Sequence, residues 1–465
     1  MRLRMEEKSD YRRVLLVTCM SAGMVPFMGS ALNLAVPQIS SDFSMDALES
    51  IWIMASYMLS CAIFQIPCAR LADMFGRVRV FKLGMLLFCS GTLLNAFAFS
   101  GLSMIVFRFL CGLGSAMVFG TNVAILTASV PKSRRGWALG LNSGAVYFGL
   151  SAGPVLGGFL AEVFGWRSIF VTAALWSLAV LAGAFLFIRD EWFGDSGKGF
   201  DAFGSAVFAA GLSMIIYGFS ELPHARGFSL LLAGMAVVVF FVWYERRQKV
   251  PVFNVGVFFK NRVFRYSMFA VLVNYSATIS IAYMLGLYLQ HVRGLGPSRA
   301  ALVIVVQSLV MAMVSLQSGR LSDRFSATKM ASWGMALTAF GLLLLGFVGA
   351  GTPYWVICGM LALVGLGFGL FSSPNMNVIM SSVSTSEYAF AGAATGTIRL
   401  VGQAFSMGIA FMTTSFFVGG RMLTADVHAE FIHAMRAAFF IGAALCALGI
   451  YASSVRGKSP GNGGS

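Results

Sequence analysis

Stretches of about twenty apolar residues, the length an α-helix needs to cross roughly 30 Å of hydrocarbon, recur from Val14 to the neighbourhood of Tyr451 with little chain between them. A chain patterned this way can satisfy its backbone polar groups in lipid only as helices, because the alternating strands of a membrane barrel are absent. Composition agrees. Hydrophobic residues make up 58% and charged residues 11%, against about 25% charged in a soluble domain. The sequence therefore reads as an all-α integral membrane protein.

The apolar runs place fourteen helices, near 14–37, 51–69, 80–99, 102–130, 138–161, 168–188, 202–220, 228–245, 266–290, 299–319, 330–349, 353–382, 390–418 and 432–453. The fourth, twelfth and thirteenth runs are long enough to hold a break or a protruding end. No cleavable secretory signal is expected ahead of the first helix, where "MRLRMEEKSDYRR" is polar and the span that follows is too long for one. The tail "VRGKSPGNGGS" is expected to be disordered.

Lys and Arg gather on one side. With the N-terminus inside, the outer loops receive only Arg167, Arg226, Arg293, Arg299, Arg421 and Arg436, while nearly all other cations fall in inner segments. Inner loops retain positive charge, so both termini are expected in the cytoplasm and the protein in the inner or plasma membrane. The net charge of +15 is then a topology signal facing anionic lipid, and nucleic acid is not expected as a partner.

The seven cysteines are scattered through apolar helices without paired spacing, and the four histidines lie in or beside outer loops. No metal site, nucleophile elbow or phosphate loop is present in the pattern, so neither cofactor nor metal nor enzymatic activity is expected.

The chain repeats itself. "ARLADMFGR" at 69–77 returns as "GRLSDRFSA" at 319–327, aligning Asp73 with Asp323, and "GLGSAMVFGTN" ending at Asn122 returns as "GLGFGLFSSPN" ending at Asn375. Two similar inner loops imply two parallel halves related by an axis along the membrane normal, and an offset of about 250 residues fits six helices plus an inserted pair. The expected organisation is a six-helix half over 1–199, an inserted pair over 200–246, a second six-helix half over 247–454 and a tail over 455–465.

These stretches resemble the major facilitator superfamily, and within it the fourteen-helix drug:proton antiporters of the multidrug efflux type. "ARLADMFGRVR" is similar to the loop motif between helices 2 and 3, "IVFRFLCGLGSAM" to the helix 4 motif, "SAGPVLGGFL" to the helix 5 antiporter motif, and "LNLAVPQI" to the end of helix 1. The resemblance implies the major facilitator fold, alternating access, and export of small lipophilic compounds from the bilayer in exchange for protons, by a protein working as a monomer.

Each motif also has a physical reading. Asp73 can accept hydrogen bonds from a helix N-terminus or pair with Arg77 or Arg79, while Gly76 permits a tight turn; with Asp323 these residues form a candidate latch, the alternative being a basic loop that only anchors topology. Arg108, with Gly112 a turn later, is a guanidinium deep in an apolar span and must find partners. Arg399 has similar standing but lies close enough to the inner end to snorkel. Gly149, Gly153, Gly157 and Gly158 let helix 5 pack closely on a neighbour, and Pro154 allows a bend; packing without gating is the plain alternative. Asn33, Gln65, Asn122, Tyr147, Asn274, Tyr283, Asn375, Asn377 and Gln403, together with Arg108 and Arg399, are the candidate cavity residues, with helix-to-helix hydrogen bonding the alternative for Asn122 and Asn375.

One departure from the resemblance concerns coupling. Where these antiporters often carry an acid in helix 1, this chain has Met28, and every carboxylate falls in a loop or near a helix end. Proton coupling must then use Glu49, Asp73 or Glu162. Two arginines in the spans also favour a runner-up, an exporter of an endogenous metabolite or organic anion; a passive pore is the alternative of a different class.

Overall fold

The computed structural model describes residues 2–32, 35–45, 47–194, 199–222, 224–248, 255–419 and 427–455. Among these, fourteen helices are long and apolar enough to cross a bilayer: α1 (Tyr11–Leu32), α2 (Trp52–Phe75), α3 (Arg77–Ala96), α4 (Gly101–Ser129), α5 (Lys132–Phe164), α6 (Arg167–Phe187), α7 (Ala202–Phe219), α8 (Ala225–Glu245), α9 (Arg262–Val292), α10 (Arg299–Ser322), α11 (Ala327–Leu345), α12 (Tyr354–Ser381), α13 (Thr385–Val418) and α14 (His428–Tyr451). The expected tail lies outside the described residues from 456 onward, as does Asn33.

A membrane helix is apolar all round, so the face it buries is set by packing rather than polarity. In α6 the buried residues are Ile169, Phe170, Ala173, Ala174, Ser177, Val180, Leu181 and Ala184, a stripe at spacings of three and four. The other face exposes Val171, Leu175, Leu178 and Phe185. Such side chains suit hydrocarbon and would be a liability in water.

Two boundaries depart from the sequence reading. The first helix is described as far as Leu32 and does not run on to 37: Ala35 is a turn, and a separate short helix, Val36–Asp42, follows with Pro37 in its first turn. A residue without an N–H is tolerated there because that donor has no intrahelical partner. The second departure is in α9. The long α4 and α12 are unbroken, and α13 continues from Tyr388 to Val418 after a short 3₁₀ turn; α9 instead divides into Arg262–Thr278, Ser280–Leu287 and a π turn at Tyr288–Val292. At the break the Thr278 hydroxyl donates back to the Asn274 carbonyl at 2.8 Å, and the Ser280 N–H donates to the Ser406 Oγ at 2.9 Å. Side chains that offer the backbone alternative partners weaken the helical ladder at that point.

The chain forms two compact units. The first comprises Met1–Ala209, Tyr244–Val255 and Val383–Thr397, the second Ala210–Trp243, Gly256–Ser382 and Ile398–Ser465. In the first, α2 packs on α4, α4 on α3, α3 on α6, α6 on α1 and α1 on α5. In the second, α10 packs on α12, α12 on α11, α11 on α14 and α14 on α9. Four neighbour relations thus recur eight spans later, as the repeated loop motifs require.

Candidate functional site

The loop between α2 and α3 is a dense polar cluster. Arg77 donates through Nε to Asp73 Oδ1 at 3.0 Å and pairs with it through Nη2 at 2.9 Å, both side chains being nearly fully buried. The same Nη2 donates to the carbonyls of Thr385 and Ser386 at 2.9 and 3.0 Å. Arg135 stacks on the ring of Tyr388, 5.4 Å from its centroid. Residues 385–388, far along the chain but part of the same unit, are thus held by two arginines.

The N-terminus of α3 has a carboxylate against it. Glu191 takes that place: its carboxylate accepts from the Val78 N–H at 2.6 Å and the Arg79 N–H at 3.1 Å. Negative charge there complements the helix dipole. Arg79 itself is largely exposed and lies 3.9 Å from Glu191. Gly76 has φ +107°, and a Cβ on it would lie 2.6 Å from the Glu191 Cδ, so both the turn and the cap depend on glycine. Glu191 escapes sequence reasoning because it lies 112 residues from Arg79.

In the second copy of the motif, Asp323 is half-buried at the end of α10. The position aligned with Gly76 is Ser326, which caps α11 with its own hydroxyl, and the position aligned with Arg77 is Ala327.

The antiporter-like stretch lies on α1. A Cβ on Gly149 would strike the carbonyl of Gly23, one on Gly153 the Ser30 hydroxyl, and one on Gly157 the Ala31 Cβ at 2.5 Å. Three glycines four apart thus bring α5 backbone against α1. Gly158 is half-buried and outside this row, and Pro154 lies inside a helix that continues from Arg135 to Phe164.

Arg108 is wholly buried. Its Nε donates to the Ile53 carbonyl at 3.1 Å and its guanidinium lies 4.5 Å from the centroid of the Tyr57 ring. Among the described residues Nη1 and Nη2 have no partner. Tyr57 shares a hydrogen bond of 2.7 Å with Ser115. Gly112 allows this approach, since a Cβ there would be 2.5 Å from the Tyr57 carbonyl.

Of the other candidates in the first unit, Asn122 joins three helices. It donates from α4 to the Thr18 carbonyl (2.8 Å) and Ser21 Oγ (2.6 Å) of α1, and accepts from Asn142 of α5 at 3.0 Å. Gln65 is buried against Gly396 and accepts a long hydrogen bond from Thr397 at 3.5 Å. Tyr147 is buried in α5.

In the second unit Asn375 donates to the Ser267 carbonyl at 3.4 Å, linking α12 to α9. Asn122 and Asn375 therefore each tie a repeated helix to the first helix of its group, the helix-to-helix alternative for the pair. Asn377 donates to Ser322 Oγ at 3.2 Å. Asn274 is fully buried with neither amide atom partnered among the described residues. Tyr283 is 36% exposed with its ring on Phe411, and Arg399 and Gln403 are half-buried.

The candidate proton-carrying acids differ in setting. Glu49 is exposed in the first turn of the helix that contains α2, Glu162 is exposed near the end of α5, and Asp73 is buried on Arg77. Glu245, which sequence reading leaves at a helix end, is buried, its Oε1 close to the place a Gly204 Cβ would take. No group of three or more metal-ligating side chains occurs among the described residues.

Fourteen apolar spans carry buried amide and guanidinium side chains, and ten of them repeat one neighbour order twice, an arrangement suited to a membrane-embedded carrier of small substrates. The chain belongs to the major facilitator superfamily, whose model matches residues 18–407 and again 269–463, and like that family it is a transporter and not an enzyme. It is similar to the riboflavin transporter RibZ of Clostridioides difficile (strain 630), 27% identical over 442 residues covering 94% of this chain and 95% of that protein. It is also similar to the multidrug resistance protein Stp of Mycobacterium tuberculosis (strain CDC 1551 / Oshkosh), 28% identical with 85% and 75% covered. The methylenomycin A resistance protein of Bacillus subtilis (strain 168) is 26% identical with 87% and 89% covered. Among solved structures the human organic anion transporter MFSD10 superposes with TM-score 0.69 at 15% identity, covering 95% of this chain and 99% of that one, a likeness of fold.

Proposed function

We propose that the protein exports small lipophilic compounds across the cytoplasmic membrane in exchange for protons, by alternating access of two six-helix halves, with both termini in the cytoplasm. The observation that carries this is the row of Gly149, Gly153 and Gly157 on α1. A backbone-to-backbone seam has no bulky side chains to repack when helices tilt, and the stretch that forms it resembles the antiporter motif. Relatives that include proteins named for multidrug and antibiotic resistance support the same reading. The Arg77 contacts with Thr385 and Ser386 serve as a latch that opens and closes with the cycle, and one chain suffices for transport.

A second reading, export of an endogenous metabolite, is favoured by the riboflavin transporter, which matches nearly the whole chain. A panel of drugs and flavins in proteoliposomes with an imposed pH gradient separates the two. Proton-driven flux of several unrelated lipophilic drugs supports the first; flux confined to a flavin supports the second.

A further inference from the structure

The faces that α2 and α4 turn to each other carry an unusual excess of hydrogen-bond donors. On α2, Ile53, Ser56, Tyr57 and Ser60 recur at spacings of three and four and so share one face. On α4, Arg108, Gly112 and Ser115 do the same. Arg108 and Tyr57 are in contact, Tyr57 and Ser115 are hydrogen-bonded, and Gly112 lies against Tyr57 and Ser60, so the two faces form one seam.

Most buried hydroxyls of the first unit are satisfied by their own helix: Thr18, Ser21, Ser30, Thr121, Thr127 and Ser151 all donate back to a carbonyl three or four residues earlier. Ser56 and Ser60 do not. They are 3% and 0% exposed, and among the described residues their Oγ atoms have no partner. The same holds for Nη1 and Nη2 of Arg108, itself 0% exposed.

Two guanidinium nitrogens and two hydroxyls are thus gathered in one buried seam with one formal positive charge. A guanidinium cannot shed its proton to escape this situation, and the Tyr57 ring compensates it only in part. A charge of this kind in low dielectric calls for an opposite charge with oxygen acceptors. The described ion pairs join Arg77 to Asp73, Arg79 to Glu191 and Arg167 to Asp42, so none reaches it.

We propose that the Arg108, Ser56 and Ser60 seam is an anion-recognition site, and that the compounds this transporter selects carry one carboxylate or a comparably acidic oxygen group. The carboxylate takes Nη1 and Nη2 of Arg108 as a bidentate pair, and the serine hydroxyls supply further donors. This rests on the reading of the chain as an alternating-access transporter.

The test is equilibrium binding and counterflow with the full-length protein in nanodiscs and proteoliposomes, using 2-naphthoate, its methyl ester and the matching 2-naphthylmethylammonium. The carboxylate is expected to bind about 10-fold more tightly than the ester, and more tightly still than the cation, as charge-assisted hydrogen bonds dictate. Arg108→Gln should bring acid and ester to parity, and Arg108→Lys should restore part of the preference. Should Arg108→Gln fail to fold by size exclusion, the Ser56→Ala, Ser60→Ala double variant decides, with a preference reduced about threefold. Parity in the wild type, or an undiminished preference in whichever of these variants folds, overturns the proposal. An imposed pH gradient separates its fate from that of proton-coupled export: an intact carboxylate preference without gradient-driven flux leaves the site standing and removes the coupling, whereas gradient-driven flux of ester and cation without that preference does the reverse.

Discussion

Arg77 and Asp73, one helical turn apart, form a buried ion pair of 2.9 Å while the same guanidinium nitrogen reaches the carbonyls of Thr385 and Ser386. The pair orients the arginine, and the arginine holds the 385–388 segment. Removing the acid strands a buried cation, whereas removing both leaves no charge to compensate.

Asp73→Asn is therefore expected to destabilise the protein by about 3–5 kcal/mol, seen as a lowered Tm in detergent. The Asp73→Ala, Arg77→Ala double variant should recover much of that stability and none of the transport. A double variant that transports normally would reduce the cluster to an anchor.

The Glu191 carboxylate acts as a cap for α3. Glu191→Ala should cost about 1 kcal/mol, the usual range for losing an N-terminal cap, while Gly76→Ala should cost more because it combines a positive φ with a clash on Glu191. Equal and negligible Tm changes for both would contradict the geometry.

Glycines of α1 and α5 separate by what surrounds them. Gly149→Ala and Gly157→Leu place atoms into the backbone of α1 and should abolish flux with a reduced folded yield. Gly29→Ala, which meets nothing within 4 Å, should be tolerated. If Gly157→Leu lowers yield but leaves turnover per folded molecule unchanged, the seam packs without gating.

The charge distribution is expected to set the topology. A reporter active only in the cytoplasm should work when fused at Lys198 or at Ser465 and fail at His224. Activity at His224 would remove the proposed inserted pair.

Much of the fold was legible because apolar run length is a one-dimensional signal. The same holds for the glycine row of α5, whose spacing of four is a helical property of the sequence itself. The cap on α3 was not legible, since Glu191 lies far along the chain from Val78 and nothing local marks an acid as a cap for a distant helix. Nor was the break in α9, which depends on Ser406 of α13 offering its hydroxyl to Ser280. Arg108 was conspicuous as a charge in an apolar run, but Ser56 and Ser60 were not, because a serine in a membrane helix ordinarily bonds to its own backbone. Whether it does so is decided by packing.

The most direct test of the central claim is proton movement itself. In proteoliposomes holding the purified protein and a lumenal pH dye, with no gradient imposed, adding a transported lipophilic compound outside should drive protons out of the lumen as the compound enters. Arg108→Ala should show neither flux, and a protonophore should abolish the pH change. Entry of the compound at wild-type rate with no change in lumenal pH would contradict antiport and leave a uniporter or pore.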